Sequence, residues 1–312
     1  MNDFVRVRVP ATVANLGPGF DAVGLALRLY NTVEVSAADR AEVIVMGEGS
    51  EQLPTDATNL VYAAAQEVAR RAGRPDVRFA LRCRNGIPLR RGLGSSAAAR
   101  IAGIVGANRL LGGPLDVRGI AQLACDLEGH PDNVMAAITG GLAVVARRAE
   151  GLRWIRLIPA ALPGVVVAVP DLPVDTAHAR ACLPSAVALP DAVFNVSRAA
   201  LLVAALSAGR WDLLDVAMED RIHQPYRAHL IPGLDEVLEA ARQAGAFGAA
   251  LSGAGSAVIG LAPQSAIRAV GDAMVDVFVR HGVAARAVFT EIDLGGTAVE
   301  ADGVYRPLIS EA

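Results

Sequence analysis

The run Ile87-Pro88-Leu89-Arg90-Arg91-Gly92-Leu93-Gly94-Ser95-Ser96-Ala97-Ala98 has the residue types of an anion-binding turn. Two glycines let a backbone bend close to a ligand. The Ala-rich stretch behind them reads as a helix whose first N–H groups and positive dipole end face the same point. Phosphate is the usual guest of such a site. Ser95 and Ser96 can cap the helix or offer hydroxyls to a phosphate or a metal ion, and the sequence leaves open which does which. The loop is not a Walker A loop, which needs Gly-Lys-Ser/Thr. The chain has no lysine at all, so its 29 basic residues are all arginine; lysine Schiff-base chemistry and kinases built around an essential lysine are excluded with it. Gly92 to Ala97 also fits the loose dinucleotide fingerprint G-x-G-x-x-G/A, which wants a buried strand before it and an acidic residue ~20 positions on. Here the approach, Arg84 to Arg91, is polar and broken by Pro88, and Asp116 follows the helix stop Gly112-Gly113-Pro114. The dinucleotide reading ranks below a nucleotide-phosphate cradle.

Three further segments carry glycines or acids suited to a site: Asn15-Leu16-Gly17-Pro18-Gly19-Phe20-Asp21, Glu128-Gly129-His130-Pro131-Asp132-Asn133, and Leu251-Ser252-Gly253-Ala254-Gly255-Ser256. The elements that must hold them follow from periodicity. Residues 4–9 alternate as a strand, and 11–24 read as turn-rich. Residues 25–36, 42–47 and 77–84 read as strands, and 60–72 as a helix opened by Asn59. The phosphate loop enters a helix over 96–111, and a second helix over 116–128 delivers Glu128. Residues 140–148 and 153–158 suggest a hairpin. A buried strand lies within Leu162–Pro170, and the domain boundary is expected just before it, giving domains 1–160 and 161–312. Helices near 176–182, 193–208, 211–221, 234–244 and 264–281, a strand–loop at 247–260 and a strand at 284–292 complete the pattern. Strands and helices mix without regular β-α-β repeats, which favours α+β over a doubly wound sheet.

A chain of 312 residues with 53% hydrophobic residues can bury a sizeable core, and its net charge of −3 with scattered arginines argues against nucleic-acid binding. The pairs Arg70-Arg71 and Arg147-Arg148 read as solvated faces. Cys83, Cys125 and Cys182 show no metal or redox spacing. The first ten residues alternate like a strand and not like a signal peptide. The longest apolar stretches, such as Ala199 to Ala208, fall short of a membrane span. A cytoplasmic protein with no membrane partner is expected.

With these segments assembled, the sequence resembles the GHMP small-molecule kinases over nearly its whole length, from Val7 to about Ile292. The family's three motifs occur in order as Pro10 to Asp21, Pro88 to Ala98, and Leu251 to Ser256. Glu128 to Asn133, Asp175 to Arg180, and His223 to Arg227 resemble the branch that phosphorylates L-homoserine. The resemblance implies a two-domain α+β GHMP kinase fold, with an N-terminal domain like that of ribosomal protein S5 and a ferredoxin-like C-terminal domain. It implies ATP-dependent phosphorylation of L-homoserine to O-phospho-L-homoserine in threonine biosynthesis, with Mg²⁺ as cofactor. The phosphate site is then Pro88, Leu89, Arg90, Arg91, Gly92, Leu93, Gly94, Ser95, Ser96, Ala97 and Ala98. Asn59 resembles a residue near the adenine, and reads equally as a plain helix N-cap. Glu128 and Ser96 match the magnesium ligands, in keeping with the hard oxygen donors Mg²⁺ prefers. Arg180 and Arg227 match carboxylate-binding arginines, whose planar fork suits that group. Asp21 matches the residue that meets the ammonium. Asn15, His130 and Asn133 match groups that orient the substrate's polar end, and Thr176 is a contact for the reacting hydroxyl. Phosphoryl transfer depends mainly on positioning and electrostatics, so a strong general base is not required. His178, His223, His229 and His281 read as surface or supporting residues. The fold often forms dimers, so a homodimer is an expectation of the resemblance alone.

Two other readings stay open on the sequence. One is a GHMP kinase acting on mevalonate or a related alcohol, disfavoured by the missing lysine and the paired arginines. The other is a catalytically silent binding protein on the same fold, whose sign would be loss of Glu128 or of Ser95-Ser96; both are present.

Overall fold

Val, Leu and Ala dominate the first forty residues, and they form two long paired strands instead of one short strand followed by turns. The computed structural model describes residues 4–309. In chain order its elements are β1 (Phe4–Asn15), β2 (Gly19–Ala38), β3 (Glu42–Gly47), α1 (Leu60–Arg71), β4 (Arg78–Asn85), α2 (Ser95–Leu110), α3 (Val117–Glu128), α4 (Asp132–Thr139), β5 (Leu142–Arg148), β6 (Gly151–Leu157), β7 (Gly164–Pro170), α5 (Thr176–Ala181), α6 (Leu189–Ala208), α7 (Leu214–Ala217), α8 (Gln224–Arg227), α9 (Leu234–Gln243), β8 (Gly248–Leu251), β9 (Val258–Ala262), α10 (Ile267–Arg280), β10 (Ala285–Thr290), β11 (Ala298–Ala301) and β12 (Val304–Pro307).

The first sheet runs β12-β11-β1-β2-β4-β3, with β5 on β2 and β6 on β5. Its pairs are antiparallel except β3–β4. Alternate residues of β1, such as Val7 and Val9, enter a core shared with Ala97, Ala98, Ile101 and Ala102 of α2. The phosphate-loop helix is thus clamped against the sheet by its alanines. The second sheet runs β10-β7-β9-β8, all antiparallel. The unbroken apolar run of β7 places it inside, with every residue buried, as expected for a strand covered on both faces. Helices α9 and α10 contribute Val237, Ala241, Val270, Met274 and Phe278 to the core beneath this sheet. The two sheets are linked between Leu157 and Gly164. The last two strands return to the first sheet, where Val7 pairs with Val299.

Several expectations needed correction. The segment 11–24 is not turn-rich: β1 continues to Asn15 and β2 starts at Gly19, so the turn is confined to Leu16–Pro18. Helix α4 was not anticipated, because all eight residues are buried and no amphipathic stripe marks it. The helix expected over 211–221 is broken. Asp220 accepts hydrogen bonds from the N–H groups of Ile222, His223 and Gln224, and such side-chain capture competes with helix continuation. Strands β11 and β12 were missed; Asp302-Gly303, both at positive φ, turns them into a hairpin. Helix α6 begins at Leu189, because Pro190 suits a first turn. At 20 residues and mean hydropathy 1.4 it is, contrary to expectation, long and apolar enough to cross a membrane by length and composition. Its Asn195, Leu202, Ala205 and Leu206 are buried against the rest of the fold.

Candidate active site

The loop before α2 presents amide hydrogens because its carbonyls are all engaged elsewhere. The carbonyls of Arg90, Arg91, Gly92 and Leu93 accept from Val174 N–H (2.9 Å), Ala257 N–H (3.0 Å), Ser252 Oγ (2.7 Å) and Thr12 N–H (3.1 Å) respectively. None of the N–H groups from Gly92 to Ala97 has a hydrogen-bond acceptor among the described residues. Gly94 caps α2 in the left-handed region with no side-chain cap. A Cβ there would lie 2.0 Å from Thr12 Oγ1, and one at Gly92 would lie 2.0 Å from the Ser252 carbonyl. Both glycines, at φ of +70° and +77°, are therefore required by space as well as by backbone. The result is a row of free donors at a helix N-terminus, the geometry that receives phosphate.

These donors open into a cavity of about 240 Å³. Ser96 Oγ donates to Glu128 Oε1, and Arg100 donates to Glu128 Oε2. Glu128 is nearly buried at 5% exposure, yet it reaches the cavity wall. His130 stands beside it, with Nε2 3.9 Å from Glu128 and Nδ1–H donating to Asp132 at 2.9 Å. Burial alone would lower the His130 pKa, but the hydrogen bond and charge of Asp132, with Glu128 and Asp21, raise it above the ordinary value. Ser96 and Glu128 supply a hydroxyl and a carboxylate in contact at the start of the phosphate helix. That donor set fits Mg²⁺, which takes few protein ligands and completes its shell with phosphate and water. No group of three or more His, Cys, Asp or Glu side chains clusters as a metal site among the described residues.

The opposite wall carries charges of both signs. Arg180 meets Asp21 through two hydrogen bonds of 2.8 Å. Burial would push the Asp21 carboxyl up, but Arg180, helped by His130 and Arg227, holds it below the ordinary carboxylate range. Arg227 is only 2% exposed. It donates to the Ala179 carbonyl (3.3 Å) and the Gly253 carbonyl (3.0 Å), and no carboxylate lies within ion-pair distance of it among the described residues. Burial, and then the charge of Arg180, lower its pKa. Both guanidiniums lie 5.4 Å from the Phe20 ring, close enough for cation–π attraction. Helix α5, capped by Asp175, puts Thr176 and Arg180 one turn apart on the same cavity.

Of the residues singled out in the sequence, Asn15, Asp21, Arg90, Gly92, Leu93, Gly94, Ser95, Ser96, Glu128, His130, Asn133, Thr176, Arg180 and Arg227 line this one cavity. Others stand elsewhere. Ala97 and Ala98 are fully buried in the core, so only the Ala97 N–H is offered to a ligand; Ala98 N–H bonds the Gly94 carbonyl. Pro88, Leu89 and Arg91 line a separate cavity behind the loop, and Leu89 also lines the cavity beside Asn59. Arg91 is taken up by the Pro170 carbonyl and Asp171 and ties the loop to the second sheet. Asn59 caps α1 through Val61 N–H, yet lines a mainly apolar cavity of about 470 Å³ that shares Arg90, Ser95 and Ser96 with the first. Asn15, expected to contact substrate, does line the cavity, and its amide also accepts from Asp21 N–H and donates to the Gly253 carbonyl, so it holds the turn that bears Asp21. Sequence reading missed Thr12, which donates to Asn133 at 2.7 Å, and also Phe20, Arg100 and Asp132. Thr12 and Phe20 lie inside the first motif, which flags them by position alone; Arg100, one helical turn beyond Ser96, lies on the face that meets Glu128.

The chain is similar to known proteins over most of its length. Residues 59–141 match the profile for the N-terminal domain of GHMP kinases, and residues 202–280 that for their C-terminal domain. The chain is 48% identical over 280 residues to a homoserine kinase of Moorella thermoacetica, covering 89% of this chain and 93% of that protein. It is 46% identical over 295 residues to one of Deinococcus radiodurans, covering 94% and 96%. A crystal structure of homoserine kinase from Cytophaga hutchinsonii superimposes with a TM-score of 0.86 at 32% identity, over 96% of this chain and 98% of that one.

Proposed function

From a chain that belongs to the GHMP kinase family, with its two-domain fold, we propose transfer of the ATP γ-phosphoryl group to the side-chain hydroxyl of L-homoserine. The products are ADP and O-phospho-L-homoserine, a step of threonine biosynthesis. One observation carries the choice of acceptor: Arg180, Arg227 and Asp21 converge on a small cavity that also receives the free N–H groups of the phosphate loop. Two guanidiniums and one carboxylate complement the carboxylate and ammonium of a small amino acid. The mevalonate alternative is not favoured, since that acceptor offers no ammonium for Asp21.

The Asp21–Arg180 pair occupies the place of the zwitterion. The substrate ammonium takes the Asp21 carboxylate, and the substrate carboxylate takes Arg180 together with Arg227, whose hydrogen-bond partners are all neutral. Arg227, buried with no carboxylate at ion-pair distance among the described residues, thereby gains an opposite charge. Thr176 holds the reacting hydroxyl toward the phosphate loop, and Asn133 and His130 orient the polar end of the substrate. The N–H groups from Gly92 to Ala97 bind the phosphates, and the apolar cavity beside Asn59 receives the adenine. Ser96 and Glu128 are the residues that would hold Mg²⁺, which neutralises the charge developing on the phosphates. Holding hydroxyl and phosphorus in line supplies most of what phosphoryl transfer needs, and no side chain is assigned as a base. A cytoplasmic location and a homodimeric state belong to the same reading and rest on the family alone.

The test is phosphorus NMR of the protein with ATP, Mg²⁺ and L-homoserine. A phosphomonoester resonance coupled to the side-chain methylene is expected. Hydrolysis of ATP without that product, or phosphorylation of another alcohol only, contradicts the reading.

A further inference from the structure

The two arms that face the amino acid are joined by a closed ring of hydrogen bonds. The Gly253 carbonyl accepts from both Asn15 Nδ2 (3.0 Å) and Arg227 Nη1 (3.0 Å). Arg227 Nη1 also reaches His223 Nδ1 at 3.2 Å, and His223 Nε2 lies 2.7 Å from the Gly17 carbonyl. The chain from Asn15 through Leu16 to Gly17 closes the ring. A carbonyl can only accept, so His223 carries its proton on Nε2 and offers the Nδ1 lone pair to Arg227. Asn15 Oδ1 in turn accepts from Asp21 N–H. His223 is fully buried and packs 5.4 Å from Phe20; it does not line the cavity.

We propose that His223 is a positioning residue that fixes the spacing between the Arg227 guanidinium and the Asp21 turn, and so sets the preference for a substrate bearing ammonium and carboxylate on one carbon. This rests on the homoserine reading above. Glycines 17 and 253 supply the ring's carbonyls, and Asn15 and His223 are the side chains that bridge it.

The conservative variants separate the two edges of the imidazole. His223→Gln keeps a donor within reach of the Gly17 carbonyl and loses the acceptor for Arg227, whereas His223→Asn keeps the acceptor and loses the reach to Gly17. Losing one hydrogen bond to a charged group costs roughly 10- to 100-fold. His223→Gln is expected to raise KM for homoserine by about that factor, with kcat and KM for ATP within about twofold, and His223→Asn to raise it less. Turnover of 3-aminopropan-1-ol, which lacks the carboxylate, is expected to be equally slow in both variants and the parent. If His223→Gln does not fold, His223→Asn decides, because it cuts the ring at Gly17 while keeping the acceptor for Arg227; a smaller but equally selective rise in homoserine KM is expected. An unchanged homoserine KM in folded variants, or an equal rise for ATP, overturns the proposal. Failure of the parent protein to phosphorylate homoserine would instead overturn the reading on which it rests.

Discussion

Arg227→Met separates the cost of holding a charge from its use. Arg227 is 2% exposed, makes hydrogen bonds only to neutral groups at 3.0–3.3 Å, and has its pKa lowered by burial and by Arg180. An isolated buried cation carries an uncompensated desolvation penalty of several kcal/mol. Methionine fills similar volume, removes that penalty and repulsion from Arg180, and leaves the carbonyls of Ala179 and Gly253 and the Nδ1 of His223 short of one donor each, at roughly 1 kcal/mol apiece. These opposing contributions leave stability within about 2 kcal/mol of the parent. Binding moves in one direction only. A substrate carboxylate deprived of a buried guanidinium loses about 3–5 kcal/mol, a KM increase of roughly 10²- to 10⁴-fold. The assay couples ADP release to NADH oxidation over a homoserine titration, alongside urea unfolding of the apoprotein. A variant unfolded by more than about 4 kcal/mol relative to the parent, or one folded with an unchanged homoserine KM, refutes the assignment of this charge to substrate.

Three other outcomes follow from the same geometry. Gly94→Ala forces a left-handed alanine and a 2.0 Å approach to Thr12 Oγ1; it is expected to cost roughly 2–4 kcal/mol in unfolding experiments and to raise KM for ATP, and a variant as stable as the parent would show the cap is not constrained. Glu128→Gln keeps the bond from Ser96 but removes the anion, so half-maximal Mg²⁺ for single-turnover transfer should rise at least about tenfold; an unchanged Mg²⁺ dependence and rate would dismiss Glu128 as a ligand. His130 has a raised pKa, so its charged form contributes stability that is full below the ordinary 6.5 and fades as pH rises through the folded value. Asp132→Asn should lower the His130 midpoint in an NMR titration and weaken that pH dependence, and identical titrations would discount the Asp132 contact.

The parts legible in the sequence are those whose chemistry is local. The loop from Pro88 to Ala98 announces itself because glycine, serine and alanine each have a backbone reason to stand there. Arg180 becomes a candidate only through the family resemblance of Asp175 to Arg180; its spacing from Thr176 merely puts the two on one helix face. What stayed hidden depends on partners far along the chain. Asn15 reads as a substrate contact, and only the fold shows that its amide also ties the Asp21 turn to Gly253, 238 residues away. His223 reads as a supporting histidine, and only the turn at Gly17 reveals what it supports. Arg100 carries no signal of its own until Glu128 arrives at its side. Helix α4 was hidden for a different reason: a helix buried all round has no polar face and no periodicity to read.

The central claim is that two arginines and one aspartate select an amino acid as phosphoryl acceptor. The direct measurement is kcat/KM by ADP release for L-homoserine, mevalonate and 3-aminopropan-1-ol at saturating ATP and Mg²⁺. L-homoserine is predicted to exceed each of the others by at least about 100-fold, as loss of a charge-assisted contact requires. Equal turnover of 3-aminopropan-1-ol, or turnover of mevalonate with none of homoserine, would contradict it.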